Sequence, residues 1–380
     1  MLLQAGAVAC LPYLEQLVAA GSSSRATAVA VAGRMIDVWD TRSSDGVIDD
    51  DGQRFASQRV RMLDALGLLG DSAMLERFIA SVLTLSHDGS ENGALLASLH
   101  VLSDERAAAL LSDLVAARMP KSPNGCAKLL LALSEKPVRR YSSVAEAALT
   151  SLDRIRPKVA ELPALQWPSF FDKTQPPTAE FVEDLLTALQ RFGSAALAVS
   201  AAQRIAERPA VFDPVTVVIP ALARIDAGRR RKKVAVDSGL ANLWTHAATF
   251  LLERSATTPQ PPTDWRQDVR IGCSCADCKE LQAFARDPGA RVHRFRVRKD
   301  RRQHLHRAID KHRLDMTHVT ERVGSPQTLV CAKDHRGFER RMAEYRSDVA
   351  AMRALVRIAP LLESAEKLSS RMQKAIASAE

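Results

Sequence analysis

Over the first two-thirds of the chain, apolar residues recur every three or four positions, as in Leu75, Phe78, Ile79, Val82 and Leu83, and again in Ala109, Leu110, Leu114 and Val115. That spacing lays one apolar stripe along a helix. From Leu2 to about Leu252 the stripes are interrupted at residues 21–24, 43–52, 87–93, 120–125 and 208–214, each rich in Gly, Pro or Asp/Asn/Ser turn formers. The pattern predicts antiparallel helix pairs stacked side by side. No strict repeat of the tetratricopeptide or ankyrin kind can be aligned, so the expected fold is an irregular α-solenoid or helical array.

Two stretches break this periodicity. Residues 163–178 carry four prolines and divide the array into a first section, 1–162, and a second, 179–255. Trp167, Phe170 and Phe171 in that stretch are read as stapling it to adjacent helices rather than as a partner-binding spot. The basic run Arg229 to Lys233 is read as a solvated loop between residues 215–225 and a helix holding Leu243, Trp244, Phe250 and Leu251. A Pro-rich linker at 256–264 closes the helical part.

Beyond the linker the pattern changes. Residues 279–286 read as a helix stopped by Asp287-Pro288-Gly289, and Val292, Phe295 and Val297 as a short strand. Residues 299–314 read as an amphipathic helix with Leu305, Ile309 and Leu314 inward. Residues 317–321 and 328–333 read as two strands about the turn Gly324-Ser325-Pro326. A final helix from about Gly337 carries Phe338, Met342, Tyr345, Val349, Met352 and Leu355. The predicted order is α-β-α-β-β-α over a module at 265–345, with a C-terminal helix in 346–380. The fold class is therefore mainly α, a helical array followed by a small α+β module that binds zinc.

Composition narrows the class. Aromatic residues make up 5% of the 380 residues, against 46% apolar and 26% charged, which suits helices rather than a β-sandwich or barrel. No apolar run approaches the ~20 residues that span a bilayer. The string Ala7-Val8-Ala9-Cys10 has neither the basic flank nor the apolar run of a signal peptide, so Cys10 is read as the first turn of a buried helix. The expected compartment is the cytoplasm, where thiols stay reduced; in a eukaryotic cell the Arg229 to Lys233 run also suits nuclear import.

The net charge of +9 is concentrated: residues 264–346 hold 20 Lys+Arg against 12 Asp+Glu, an excess of eight, with six of the nine histidines and four of the six cysteines. Clustered thiols in a reducing compartment point to metal. Cys275 and Cys278 have the spacing of a zinc knuckle, in which two thiolates reach one tetrahedral ion. The remaining ligands come from farther along the chain, with His304 and Cys331 as candidates and Cys273 as an alternative to Cys331. His306 lies ~200° around its helix from His304, so one of the two faces away. His293, His312, His318 and His335 are read as surface or basic-face residues. Four protein ligands leave no position for activated water, so the one zinc ion is expected to be structural, with an iron–sulfur cluster as the competing reading.

The strings Cys275-Ala-Asp-Cys278-Lys-Glu-Leu-Gln-Ala-Phe284, Arg301-Arg302-Gln303-His304-Leu305 and Thr320-Glu-Arg322-Val-Gly324-Ser-Pro326-Gln-Thr-Leu-Val-Cys331 resemble the carboxy-terminal region of large proteins labelled iron(II)/2-oxoglutarate oxygenases. The resemblance covers about residues 265–345 and implies the ligand set Cys275, Cys278, His304 and Cys331. It does not extend to the chemistry. Such an oxygenase needs an HxD or HxE pair and a distal His for iron, and no HxD or HxE occurs in the chain. The chain is thus expected to be a standalone relative or a truncated form of the longer proteins.

The expected function is a non-catalytic scaffold whose zinc module engages a partner, a protein first and nucleic acid second, with no membrane or small-molecule ligand. The candidate contact residues are Arg291, Arg294, Arg296, Arg298, Lys299, Arg301 and Arg302, with Arg294, Arg296 and Arg298 forming one outward row of a strand. The alternative is an accessory part of an oxygenase system without activity of its own. No phosphate loop, nucleophile elbow or dinucleotide fingerprint supports an enzyme.

Overall fold

In a computed structural model of the protein, the structure describes residues 9–39, 52–136, 141–157, 175–192, 195–232, 238–358 and 365–379. These fall into two compact units. One takes in the helices up to Phe250 together with Ala354–Gln373, and the other is built on Leu251–Arg353.

The first unit is helical throughout its regular structure. Its helices are α1 (Leu11–Ala19), α2 (Arg25–Asp37), α3 (Gly52–Leu69) and α4 (Ser72–Phe78), the last prolonged by a π-turn at Ile79–Leu83. There follow α5 (Asn92–Ser98), α6 (Asp104–Arg118), α7 (Pro123–Leu133), α8 (Ser142–Ser151), α9 (Ala179–Arg191), α10 (Ala195–Ala206), α11 (Ile219–Lys232) and α12 (Ser238–Arg254). Start signals fit the capping chemistry: Asp71, Ser103 and Thr178 each accept a backbone N–H from the first turn of α4, α6 and α9. Pro123 opens α7, where its missing N–H costs nothing.

Packing alternates along the chain. α3 packs on α5, α7 on α9 and α9 on α11, while α4 packs on α6, α6 on α8 and α8 on α10. Most helices of the unit thus lie against the one two further along, which makes two layers, the arrangement of an α-solenoid. The expected helical array is observed. The basic run behaves differently from expectation: α11 continues through Arg229, Arg230, Arg231 and Lys232 instead of ending before them, since Arg and Lys are strong helix formers. Lys233 and the Trp167, Phe170 and Phe171 stretch lie outside the described residues.

The two layers meet at a tight polar crossing. Gly89 has φ +98°, and a Cβ placed on it would come 2.5 Å from the Cα of Gly125. A Cβ on Gly125 would run into the carbonyl oxygen of Asp88. Around this contact Asn92 donates to the Gly125 carbonyl at 3.0 Å, and Arg118 donates to the His87 carbonyl at 2.9 Å. Buried Arg59 faces both Asp88 and Glu91. Burial alone would raise the Asp88 carboxyl, but the Arg59 guanidinium and the Ser90 donors outweigh it and hold the group at about 2.

The second unit contains α13 (Ala276–Arg286), β1 (Val292–Arg296), α14 (Lys299–Lys311), β2 (Met316–Glu321), β3 (Thr328–Lys333) and α15 (Arg336–Ile358), the last running on into the first unit. The predicted α-β-α-β-β-α order is therefore observed. The sheet is antiparallel in the order β1-β3-β2, with Phe295 opposite Leu329 and Leu329 opposite Thr320. Alternate residues of the strands face α13 and α14, so Phe295, Val297, Leu329, Cys331 and Met316 join Leu281, Phe284, Leu305 and Ile309 in one core. Helix α16 (Glu366–Ala377) completes the described chain.

Two outcomes are expected from the first unit. Gly125→Ala has no room at the crossing and should lower its stability by about 2 kcal/mol or more in chemical denaturation followed by helical circular dichroism. Asp184 of α9 is pushed up to about 6 by burial and by the neighbouring Glu180 and Glu183. A raised carboxyl favours the folded state while it is protonated and loses that advantage as pH climbs from about 4 through 6. Asp184→Asn should therefore stabilise the unit by about 1 kcal/mol at pH 8, after allowance for its partial solvent access, and not at pH 4.

Candidate metal centre

An irregular approach leads from the end of α12 to α13, and side-chain hydrogen bonds stitch it down. Gln267 makes a two-way amide lock with Asp315, donating to its carbonyl at 2.6 Å and accepting from its N–H at 3.0 Å. Ile271 N–H donates to Gln282 Oε1 at 2.7 Å, and Arg286 donates to the Val269 carbonyl at 3.0 Å. Trp265 is held between the His335 ring, stacked at 4.3 Å, and the Arg291 guanidinium at 4.9 Å. These contacts deliver Cys273 and Cys275 to the start of α13.

Cys275 is the residue before the first turn of α13, with extended backbone, and Cys278 lies within that turn. The helix begins earlier than the apolar pattern indicates, at Ala276 rather than residue 279, which curls the chain so that both thiols of the Cys-x2-Cys pair face α14. There His304 meets them. Its Nε2 lies 3.4 Å from Cys273 Sγ, 3.5 Å from Cys275 Sγ and 3.2 Å from Cys278 Sγ. All four donor atoms lie within 4.8 Å of one another, a group able to hold a metal ion.

The expected ligand set needs one correction. Cys273, the alternative, joins the group, and Cys331 does not. Strand alternation turns Cys331 inward, as its apolar neighbours suggest, but it enters the hydrophobic core instead, fully buried, with its thiol pushed up to about 12 by that burial. The signal for Cys273 is its separation from Cys275 by one residue in an extended approach, which keeps both thiols near one point.

The local electrostatics favour a cation. Burial pushes the Cys278 thiol up to about 12, and the Cys275 and Cys273 thiols act in the same direction. Cys273 is drawn below the ordinary thiol range, chiefly by the Cys275 backbone N–H. Three thiols this close cannot all ionise without a positive charge among them. Beside them the buried Asp277 accepts two hydrogen bonds from Arg301, one at 2.7 Å, and Arg301 holds its carboxyl below the usual range. This pair braces the first turn of α13 against α14 one turn before His304. The Cys-x2-Cys spacing gives no hint of it.

The basic residues separate into two groups. Arg302 is buried and donates to the Val297 carbonyl at 2.7 Å and to Gln327 Oε1 at 2.9 Å, so it belongs to the fold and not to a contact surface. Arg301 is taken by Asp277, Arg291 by Trp265, and Arg294 by Glu321 at 2.8 Å. Arg296, Arg298 and Lys299 are exposed, and none has an ion pair among the described residues. The other histidines also pack more than expected. His293 pairs with Glu280 at 2.7 Å and stacks on Phe284, while His318 bonds both His306 and Asp310.

Comparison of the chain with protein-family models, with curated proteins and with solved structures gives no match. No helix among the described residues is long and apolar enough to cross a membrane.

The ligand correction has a direct check. Cobalt(II) added to the wild-type protein should give the intense absorption of thiolate coordination. Cys273→Ser should weaken and shift that spectrum, whereas Cys331→Ala should leave it unchanged while lowering stability, because it removes only a core contact.

Proposed function

We propose that residues 265–345 are a module held together by one structural zinc ion, which a helical scaffold carries to a binding partner, and that the ion has no catalytic part. The observation that carries this reading is the 3.2–3.5 Å separation of the three sulfurs from His304 Nε2. A tetrahedral ion with bonds of ~2.3 Å to sulfur and ~2.0 Å to nitrogen requires an S···N separation of about 3.5 Å. The spans fit without rearrangement.

The chemistry of the donors points the same way. Three thiolates and a neutral imidazole are soft to borderline ligands, suited to zinc and poorly suited to magnesium or calcium. Four donor atoms within 4.8 Å of one another enclose a single ion rather than an iron–sulfur cluster. A closed Cys3His tetrahedron offers no open position for water or substrate, which supports a structural role. The start of α13 adds the positive end of its dipole beside the thiolates. The layered first unit supplies an extended stack of helices, the usual framework of interaction scaffolds.

Elemental mass spectrometry on the purified protein should find one zinc per chain. Cys278→Ser and His304→Ala should each lose it, and hydrogen exchange should rise across residues 265–333 in both. Because protons compete for thiolate and imidazole, the ion should also leave as pH falls toward 5. A wild-type protein without zinc, or with iron in its place, would overturn the reading.

A further inference from the structure

The sheet of the second unit has two unlike faces. Phe295, Leu329, Cys331 and Met316 point into the helix-covered core. The register places three cross-strand rows on the other face: Val292, Ala332 and Thr317; Arg294, Val330 and Val319; Arg296, Thr328 and Glu321. That face is open, with Val292 51% and Val319 64% exposed. One end of it is cationic. Arg296 ends β1, Arg298 and Lys299 follow at the start of α14, and exposed Arg322 begins the β2–β3 turn, where Val323 is 83% exposed. The anchoring of Arg302 to the Val297 carbonyl and to Gln327 keeps the start of α14 beside that turn.

Resting on the reading of this module as a metal-stabilised binding element, we propose that its open sheet face docks in the major groove of a DNA duplex, with Arg296, Arg298, Lys299 and Arg322 on the phosphates. Charge chooses the partner. The face and its end carry five cations and two carboxylates, Glu321, which Arg294 already engages, and Asp300 beside Lys299, an excess of three positive charges. A polyanion neutralises such a surface, with release of its counterions.

Shape selects among nucleic acids. The outer two of three strands at ~4.8 Å spacing have axes roughly 10 Å apart, so the face can lie along the ~12 Å major groove of B-form DNA with its edge strands against the groove walls. The major groove of A-form RNA is too narrow and deep to admit them. The face presents Val, Thr and Ala and no aromatic ring, so it lacks the platform on which single-stranded bases stack. Its methyl groups suit the apolar edge of thymine.

The test is fluorescence anisotropy with the full-length protein and a labelled DNA duplex of about two helical turns, with zinc content measured on the same samples. With four phosphates engaged, wild type should bind with a log-log salt slope of about −3.6 between 50 and 200 mM salt. Arg296→Glu and Val319→Glu should each weaken binding by about 10-fold with zinc retained. Lys311→Glu, which changes the charge equally at the far end of α14, should cost less than about 2-fold. Failure of zinc-loaded wild type to bind, or an equal loss in Lys311→Glu, would overturn the docking proposal alone and leave the face to a protein partner. Tighter binding to an RNA duplex or to single strands would overturn the groove assignment. Binding by a protein that contains no zinc would uphold the docking and overturn the metal reading.

Discussion

Three sulfur atoms packed about one imidazole nitrogen are the contact on which the second unit turns. The approach to α13 has no regular structure, and its backbone must be satisfied piecemeal by Gln282, Arg286 and the Gln267–Asp315 lock. Each of those bonds is worth about 1 kcal/mol net. A fourfold junction between that approach, α13 and α14 does more, because it fixes three segments at a single point. The Asp277–Arg301 pair ties the first turns of the two helices together beside it.

The same economy appears in the cationic residues. A run of arginines looks uniform in sequence, yet here its members do different jobs. Arg302 is an internal strut between a strand end and a hairpin, Arg301 is a brace, and Arg291 is a lid over an indole. Only beyond the sheet edge, at Arg296, Arg298 and Lys299, is the charge exposed and without an ion pair among the described residues. Lys333 is a further instance: almost fully buried, it donates to the Asp287 carbonyl at 2.6 Å just past the end of α13 and lies over the Phe284 ring. A cation thus closes a helix end inside the core.

Much of this was legible from residue order, because the determinants are local. Periodicity in Leu75, Phe78, Ile79 and Val82 marks a helix whatever surrounds it, and alternation in Phe295 and Val297 marks a half-buried strand. The two layers of the first unit follow from short connections between amphipathic helices. What could not be read was which of several inward points a side chain reaches. Cys331 is buried in the core whereas Cys275 of the metal group is exposed, and alternation alone does not say whether an inward thiol ends in a core or at a ligand cluster. Arg301 and Arg302 likewise depend on partners 24 and 25 residues distant. The extension of α11 through four basic residues escapes the sequence for another reason: a charge run suggests a solvated loop, although Arg and Lys carry good helix propensity.

Trp265 has a consequence of an optical kind. It is the one tryptophan between Leu251 and Arg353, and its indole lies between an imidazole at 4.3 Å and a guanidinium at 4.9 Å. Those three groups come from the irregular approach, from α15's leading edge and from the residue before β1. Parting any two of them changes the quenching and polarity that the indole senses. The second unit therefore contains its own fluorescent gauge of whether these three segments remain together.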